Sequence, residues 1–185
     1  MQRKQPLQVG NVYHVMNKSI AGFKIFNTEK DYERMLQTLE YFTIADPLPK
    51  FSYFLMRSQK AGKEFEDYLD QCFPNPSRRV QIIAYCLMPT HFHLILKPLK
   101  KNGASQMMHD ILNSYARYFN IRHKRPGRLW SGPFKNVLVE SDEHLWHLTR
   151  YVHLNPTTAH LVEKSEKWFF SSYLEYITPS KVKRP

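Results

Sequence analysis

The chain has 185 residues, with 27 Lys and Arg against 16 Asp and Glu, a formal net charge of +11, and 42% apolar residues. Its 12 Phe, 11 Tyr and 3 Trp exclude a disordered tail, which is poor in aromatics, and its length suits one domain, with or without an insertion. The longest apolar run, residues 82–88, is far short of the ~18 residues that cross a bilayer, and Cys72 and Cys86 alone can build neither a disulfide framework nor a four-cysteine zinc site.

The opening Met1-Gln-Arg-Lys-Gln-Pro carries charge and no apolar stretch after it, so no secretory signal is expected. A reducing cytoplasm is the expected setting. A folded domain with this excess of cations is expected to meet a polyanion, nucleic acid first.

In chain order, residues 10–20 read as a strand with apolar side chains on both faces, which suits an inner position. Asn27-Thr28-Glu29 opens a helix, with Thr28 and Asp31 in capping-box spacing. Tyr32, Met35, Leu36, Leu39 and Phe42 follow its period, and Pro47 and Pro49 close it. Residues 45–79, bordered by prolines, read as an insertion with a short helix around Glu64 to Tyr68. Two β-type runs follow, 79–88 and 91–97, joined tightly at Pro89-Thr90.

An amphipathic helix is predicted over 105–120, a basic loop over 121–132 and a short strand over 134–139. Ser141-Asp142-Glu143 starts a last helix. It is expected to end near Leu154, because Pro156 biases Asn155 out of the helical region. Residues 163–185 read as a basic and aromatic tail. The order strand, helix, strand, strand, helix, strand predicts an α+β fold. The expected architecture is a ferredoxin-like or RRM-like antiparallel sheet with helices on one face, followed by a C-terminal helix.

Three constellations could carry chemistry. On a strand, His91 and His93 project to one face and Phe92 to the other. Two imidazoles converging from one strand make two-thirds of a facial divalent-metal site. Tyr151 and Asn155 are four apart on the last helix and share a face, at the edge of the stripe formed by Leu145, Leu148 and Val152. They could equally be a packed phenol and a helix-end cap. Residues 121–135 carry Arg122, Lys124, Arg125, Arg128 and Lys135, no acid, and Trp130 and Phe134 between. Cations contact phosphates and aromatic faces stack on exposed bases. Trp130 could instead anchor the loop in the core.

Together these residues resemble the single-tyrosine HUH transposases, and most closely the REP-associated tyrosine transposases. The likeness runs through Tyr13-His14-Val15-Met16-Asn17-Lys18, Met88-Pro89-Thr90-His91-Phe92-His93-Leu94 and Ser114-Tyr115-Ala116-Arg117-Tyr118-Phe119-Asn120. It continues in Gly127-Arg128-Leu129-Trp130-Ser131-Gly132, Arg150-Tyr151-Val152-His153-Leu154-Asn155-Pro156 and Ser171-Ser172-Tyr173. Pro133 and Phe170 stand where relatives often have Arg and Trp.

The resemblance implies one transposase domain over 1–185. Its catalytic nucleophile would be Tyr151, on the C-terminal helix. A divalent metal, Mg²⁺ or Mn²⁺, would be held by His91, His93 and Asn155. The substrate would be single-stranded DNA folded as a hairpin or palindromic repeat, cleaved and transferred through a 5′-phosphotyrosine. The expected DNA contacts are Asn17, Lys18, Arg122, Lys124, Arg125, Arg128, Trp130 and Lys135. A homodimer and a prokaryotic, nucleoid-associated setting are also implied. The alternatives are a non-catalytic nucleic-acid-binding protein on the same scaffold and a nuclease in which water replaces Tyr151.

Overall fold

The computed structural model describes residues 7–47 and 49–178. The N-terminal residues 1–6 and the basic end 179–185 lie outside this range. The elements are β1 (Tyr13–Lys18), α1 (Glu29–Thr43), α2 (Phe51–Lys60), α3 (Phe65–Cys72), β2 (Val80–Met88), β3 (His91–Pro98), α4 (Gly103–Arg122), β4 (Lys135–Leu138), α5 (Asp142–Thr158) and α6 (Tyr173–Ile177). The four strands lie in the order β2-β3-β1-β4, every pair antiparallel. This is the ferredoxin-like arrangement expected from the order of elements.

Strand alternation divides the sheet into two faces. Tyr13 and Val15 of β1, Phe92, Leu94 and Leu96 of β3, and Tyr85 and Leu87 of β2 are buried in one core with Met35 and Leu39 of α1 and Met108, Ile111 and Tyr115 of α4. A register shift between Ile82 and Ala84 inserts Ile83 as an extra residue. Ile82 and Tyr85, of opposite parity, therefore both reach this core. The other face carries Ala84, Cys86, Met88 and Ile95, which pack with Val152 of α5. Leu145 and Leu148 flank that contact. Helix α5 thus lies across the sheet from α1 and α4.

Local chemistry sets the connections. Asp31 accepts the backbone N–H groups of Asn27 and Thr28, each at 3.0 Å, and so fastens the start of α1. Pro89 and Thr90 alone join β2 to β3. Their carbonyls accept from Ile25, Phe26 and Ser19, at 2.8, 3.2 and 2.9 Å.

Three expectations need correction. The 45–79 segment holds two helices, α2 and α3, not one short helix. Phe51, Phe54, Phe65 and Leu69 from these helices enclose Tyr41 and Ile44 in a second small core, so aromatic burial rather than local helix signal shapes the segment. Helix α5 runs on through Pro156 to Thr158. Proline removes one N–H from the ladder, but Pro156 is buried and the following turn closes, with Ala159 N–H on Asn155 O at 2.9 Å. Asn155 is therefore a residue of the helix and not its cap.

Third, the segment read as a basic and aromatic tail is joined to the sheet over residues 165–177. Leu87 N–H donates to Phe170 O at 2.9 Å and Ser172 N–H to Tyr85 O at 3.0 Å, so the segment lies along the outer edge of β2. The Trp168 indole donates to Leu87 O at 3.0 Å, and Phe170 stacks on Tyr32 with centroids 3.9 Å apart.

Phe92, between the two histidines in sequence, is fully buried on the opposite face of β3 and packs edge-on against Trp130. Phe92→Ala leaves a cavity at the centre of the sheet. It lowers unfolding free energy by about 3–5 kcal/mol, read as a reduced urea midpoint.

Candidate active site on the second sheet face

Residues directly opposite each other in an antiparallel pair share a face. His93 lies opposite Met16 of β1 and Cys86 of β2, and His91 lies opposite Lys18 and Met88. Met16 lies opposite Lys135 of β4. The register therefore brings His91, His93, Lys18 and Lys135 to the α5 side of the sheet. The ring centroids of His91 and His93 are 5.0 Å apart. His14, two residues before Met16, joins them: its Nε2 lies 2.9 Å from His93 Nδ1.

Tyr151 comes from α5. Its ring stands edge-on to His93 at 5.8 Å and to His14 at 6.5 Å between centroids. It remains 53% exposed. Leu145, Leu148 and Val152 seat α5 on the sheet, and Tyr151 at the flank of that stripe reaches the imidazoles while facing solvent. Asn155 Nδ2 donates to Tyr151 O at 2.8 Å, one turn back along the helix.

The imidazoles are held in a particular way. Thr90 Oγ1 lies 3.0 Å from His91 Nδ1, and His14 Nε2 engages His93 Nδ1. In both rings Nδ1 has a partner, and the direction of that hydrogen bond sets which nitrogen carries the ring's proton. Burial lowers the pKa of His93 to about 3, with His14 and His91 adding to the effect. Burial, then His144, lowers that of His14 to about 4. His91 is also lowered, by burial and then by Lys18. All three are neutral near pH 7, the form in which imidazole ligates a cation. Among the described residues, no group of three or more His, Cys, Asp or Glu is placed to hold a metal ion. The donors brought together here are imidazoles, while the Asn155 amide is tied through Nδ2 to Tyr151 O.

The other expected contacts divide by burial. Lys124 and Arg128 are exposed on the loop after α4, and Lys18 and Lys135 are exposed on the histidine face. Arg122 pairs with Asp31 at 3.4 Å. Arg125 braces its own loop, donating to Arg128 O at 2.8 Å and lying over the Phe23 ring. Asn17 and Trp130 turn inward. Asn17 donates to Gly132 O at 3.3 Å. Trp130 is 8% exposed, donates to Leu112 O at 2.9 Å and packs on Phe92. An indole held this way offers no face to a base, so Trp130 anchors the loop to the core.

Two other tyrosines, Tyr115 and Tyr118 of α4, lie on the opposite side of the sheet. Tyr115 is buried with its hydroxyl donating to Ile25 O at 2.7 Å, and burial raises its pKa. Tyr118 donates to Asp31 Oδ1 at 3.1 Å, and burial, then Asp31, raises its pKa to about 12. A cavity of about 840 Å³ is also there, lined by Arg34, Phe51, Arg117 and Tyr118. The sequence reading passed over His14. Its signal was parity: it shares the alternation of Met16, the cross-strand neighbour of His93.

A family model described as "Transposase IS200 like" matches residues 53–155, more than half of the chain. The chain belongs to this family. A search of curated proteins finds no match. Among solved structures, this transposase is similar to a REP-associated tyrosine transposase bound to a REP hairpin. The two share 13% sequence identity with a TM-score of 0.60, over 95% of this chain and 84% of that one. A Deinococcus radiodurans R1 protein, provisionally described as a transposase, is 12% identical with a TM-score of 0.41, over 82% of this chain and 95% of that one. No helix among the described residues is long and apolar enough to cross a membrane.

The lowered imidazoles shape the acid response of this transposase. His153 of α5, buried with Nε2 2.8 Å from Ser172 Oγ, is also lowered by burial, to about 4. Below the ordinary value of 6.5, the unfolded chain takes up protons that these folded imidazoles refuse, so their contribution is complete above that pH and is lost as pH falls toward 4. Urea midpoints measured in EDTA at about pH 7, 6 and 5 fall in that order, and His153→Gln flattens the fall.

Proposed function

We propose that the chain cleaves single-stranded DNA and transfers the strand through a covalent 5′-phosphotyrosine on Tyr151. The observation that carries this reading is the exposed Tyr151 phenol standing edge-on to His93, within the cluster formed by His14, His91 and His93. Family membership supports transposase chemistry. The similar solved structure bound to a REP hairpin supports a hairpin-containing DNA as the substrate class.

The neutral Nε2 atoms of His91 and His93 suit a divalent cation, Mg²⁺ or Mn²⁺, with the Asn155 amide oxygen as a third donor. Such an ion supplies Lewis acidity at a non-bridging oxygen of the scissile phosphate. The remaining work falls to the chain's own residues. Lys18 and Lys135 flank the histidines and contact neighbouring phosphates. Lys124 and Arg128 extend the cationic surface along the strand. Seated on α5, the Tyr151 phenol attacks phosphorus and loses its proton to solvent. The P–O3′ bond breaks, and the departing 3′ oxygen takes up a proton. The phosphotyrosine link keeps the bond's energy, so attack by a 3′-OH rejoins the strand and restores the phenol without ATP.

With a labelled hairpin oligonucleotide and Mn²⁺, the wild type forms an adduct that survives a denaturing gel. Tyr151→Phe removes one oxygen, binds the hairpin normally and forms none. His91→Ala also loses the adduct while still retarding the hairpin, because cation–phosphate contacts supply most of the affinity. An adduct that persists in Tyr151→Phe and vanishes in Tyr118→Phe moves the nucleophile. Retention of cleavage without any adduct in the wild type favours hydrolysis by water.

The cationic assignments have their own test. Lys18→Ala and Lys135→Ala each weaken hairpin binding and reduce the slope of log affinity against log salt by about 0.7–0.9. Trp130→Phe leaves that slope unchanged and lowers the urea midpoint, since it loses the bond to Leu112 O and part of a buried ring.

A further inference from the structure

β1 contributes an imidazole to which the reading above assigns no chemical role. His14 is 6% exposed, and its Nε2 lies 2.9 Å from His93 Nδ1. The ring centroids are 5.1 Å apart and the planes only 19° apart. A centroid separation this much longer than the N···N distance puts both nitrogens between the ring centres. The rings therefore meet edge to edge, nearly in one plane, in a hydrogen bond and not a face-to-face stack.

One proton lies in a hydrogen bond between two neutral imidazoles, and it belongs to one ring or the other. If His14 donates, His93 carries its own proton on Nε2, and that atom has no lone pair for a cation. If His93 donates from Nδ1, its Nε2 lone pair is open. The same division operates at His91, where Thr90 Oγ1 stands at Nδ1. We propose that His14 is a positioning residue that accepts the Nδ1–H of His93, fixing the tautomer and ring plane in which His93 Nε2 can hold a divalent cation. The inference rests on the reading that His91 and His93 bind such a cation. It assigns His14 no contact with the ion.

A metal-bound histidine is ordinarily oriented by an acceptor at its other ring nitrogen, and loss of that acceptor typically costs about 10–100-fold in metal affinity. Carboxylates and carbonyls usually serve. Here the acceptor is a second histidine, which can accept at Nε2 only while its own proton sits on Nδ1. The sheet puts His14 within reach: it lies diagonal to His93, because His14 faces Ile95 while Met16 faces His93. The Tyr151 ring, edge-on to both, covers the pair from the α5 side.

The test uses Mn²⁺ alone, without DNA, followed by electron paramagnetic resonance. Wild type binds Mn²⁺, and His91→Ala does not. His14→Leu binds about 10–100-fold more weakly. His14→Gln, whose Oε1 can accept near the position of Nε2, recovers most of that loss. In the wild type with Mg²⁺, ¹⁵N NMR places the His93 proton on Nδ1 and leaves Nε2 unprotonated.

Failure to detect Mn²⁺ binding in wild type overturns the metal reading and this inference together. Normal binding by wild type with unchanged binding by His14→Leu overturns this inference and leaves the metal reading standing. A His93 proton on Nε2 with Mg²⁺ present overturns it on the wild-type protein, whatever the variants do. With Cu²⁺ as the probe, spin-echo spectra count two imidazoles in wild type. A count of three that drops to two in His14→Gln makes His14 a ligand and ends its role as a positioning residue.

Discussion

Six residue pairs join β1 to β3, from Tyr13 opposite Leu96 to Lys18 opposite His91. The placing of His14, Lys18, His91 and His93 in the candidate site descends from this register. It sets His14 diagonal to His93, brings Lys18 beside His91, and leaves Val15 and Tyr13 for the core. Because side chains alternate with period two, a slip of one residue would send His14 into the apolar core and Val15 toward the histidines. The cost of burying an unpaired imidazole and exposing core side chains makes that slip unfavourable. The packing that holds the sheet together is therefore also what aligns the polar face.

The two faces are built unequally. The side covered by α1 and α4 is large and aromatic, with Phe26, Tyr32, Tyr115 and Trp130 in ring contact with one another or with Phe92. Asp31 ties that side together at its polar margin. It accepts from the start of α1 and from Tyr118 of α4, with Arg122 and His123 within 3.4 Å. Burial alone would raise its pKa, but the bonds from Asn27, His123 and Thr28 prevail and lower it. The α5 side has a small apolar contact centred on Val152. Stability is concentrated on one side, and the groups able to do chemistry are concentrated on the other.

Much of this was legible because it depends on short-range pattern. The His-Phe-His triplet declares its own geometry on a strand, and Thr28 with Asp31 declares a helix start. The spacing of Tyr151 and Asn155 was readable for the same reason. What escaped depends on partners distant in sequence. His14 and His93 are 79 residues apart, and no local signal reports a hydrogen bond across that separation. Trp130 looked like a stacking platform because its neighbours are cations, whereas its burial is decided by Phe92 and Leu112. Pro156 looked like a helix end because its bias on Asn155 is local, and tertiary packing of α5 overrides that bias.

The two-residue turn between β2 and β3 links parts that are otherwise described separately. Thr90 takes the Ser19 N–H on its carbonyl at 2.9 Å and meets the His91 ring with its hydroxyl at 3.0 Å. Pro89 holds the Ile25 and Phe26 N–H groups in the same turn. The loop leading from β1 to α1 is thus geared to the orientation of an imidazole through a single intervening residue. Ser19, Thr90 and His91 therefore form one hydrogen-bonded path from that loop to the histidine face, outside the apolar core.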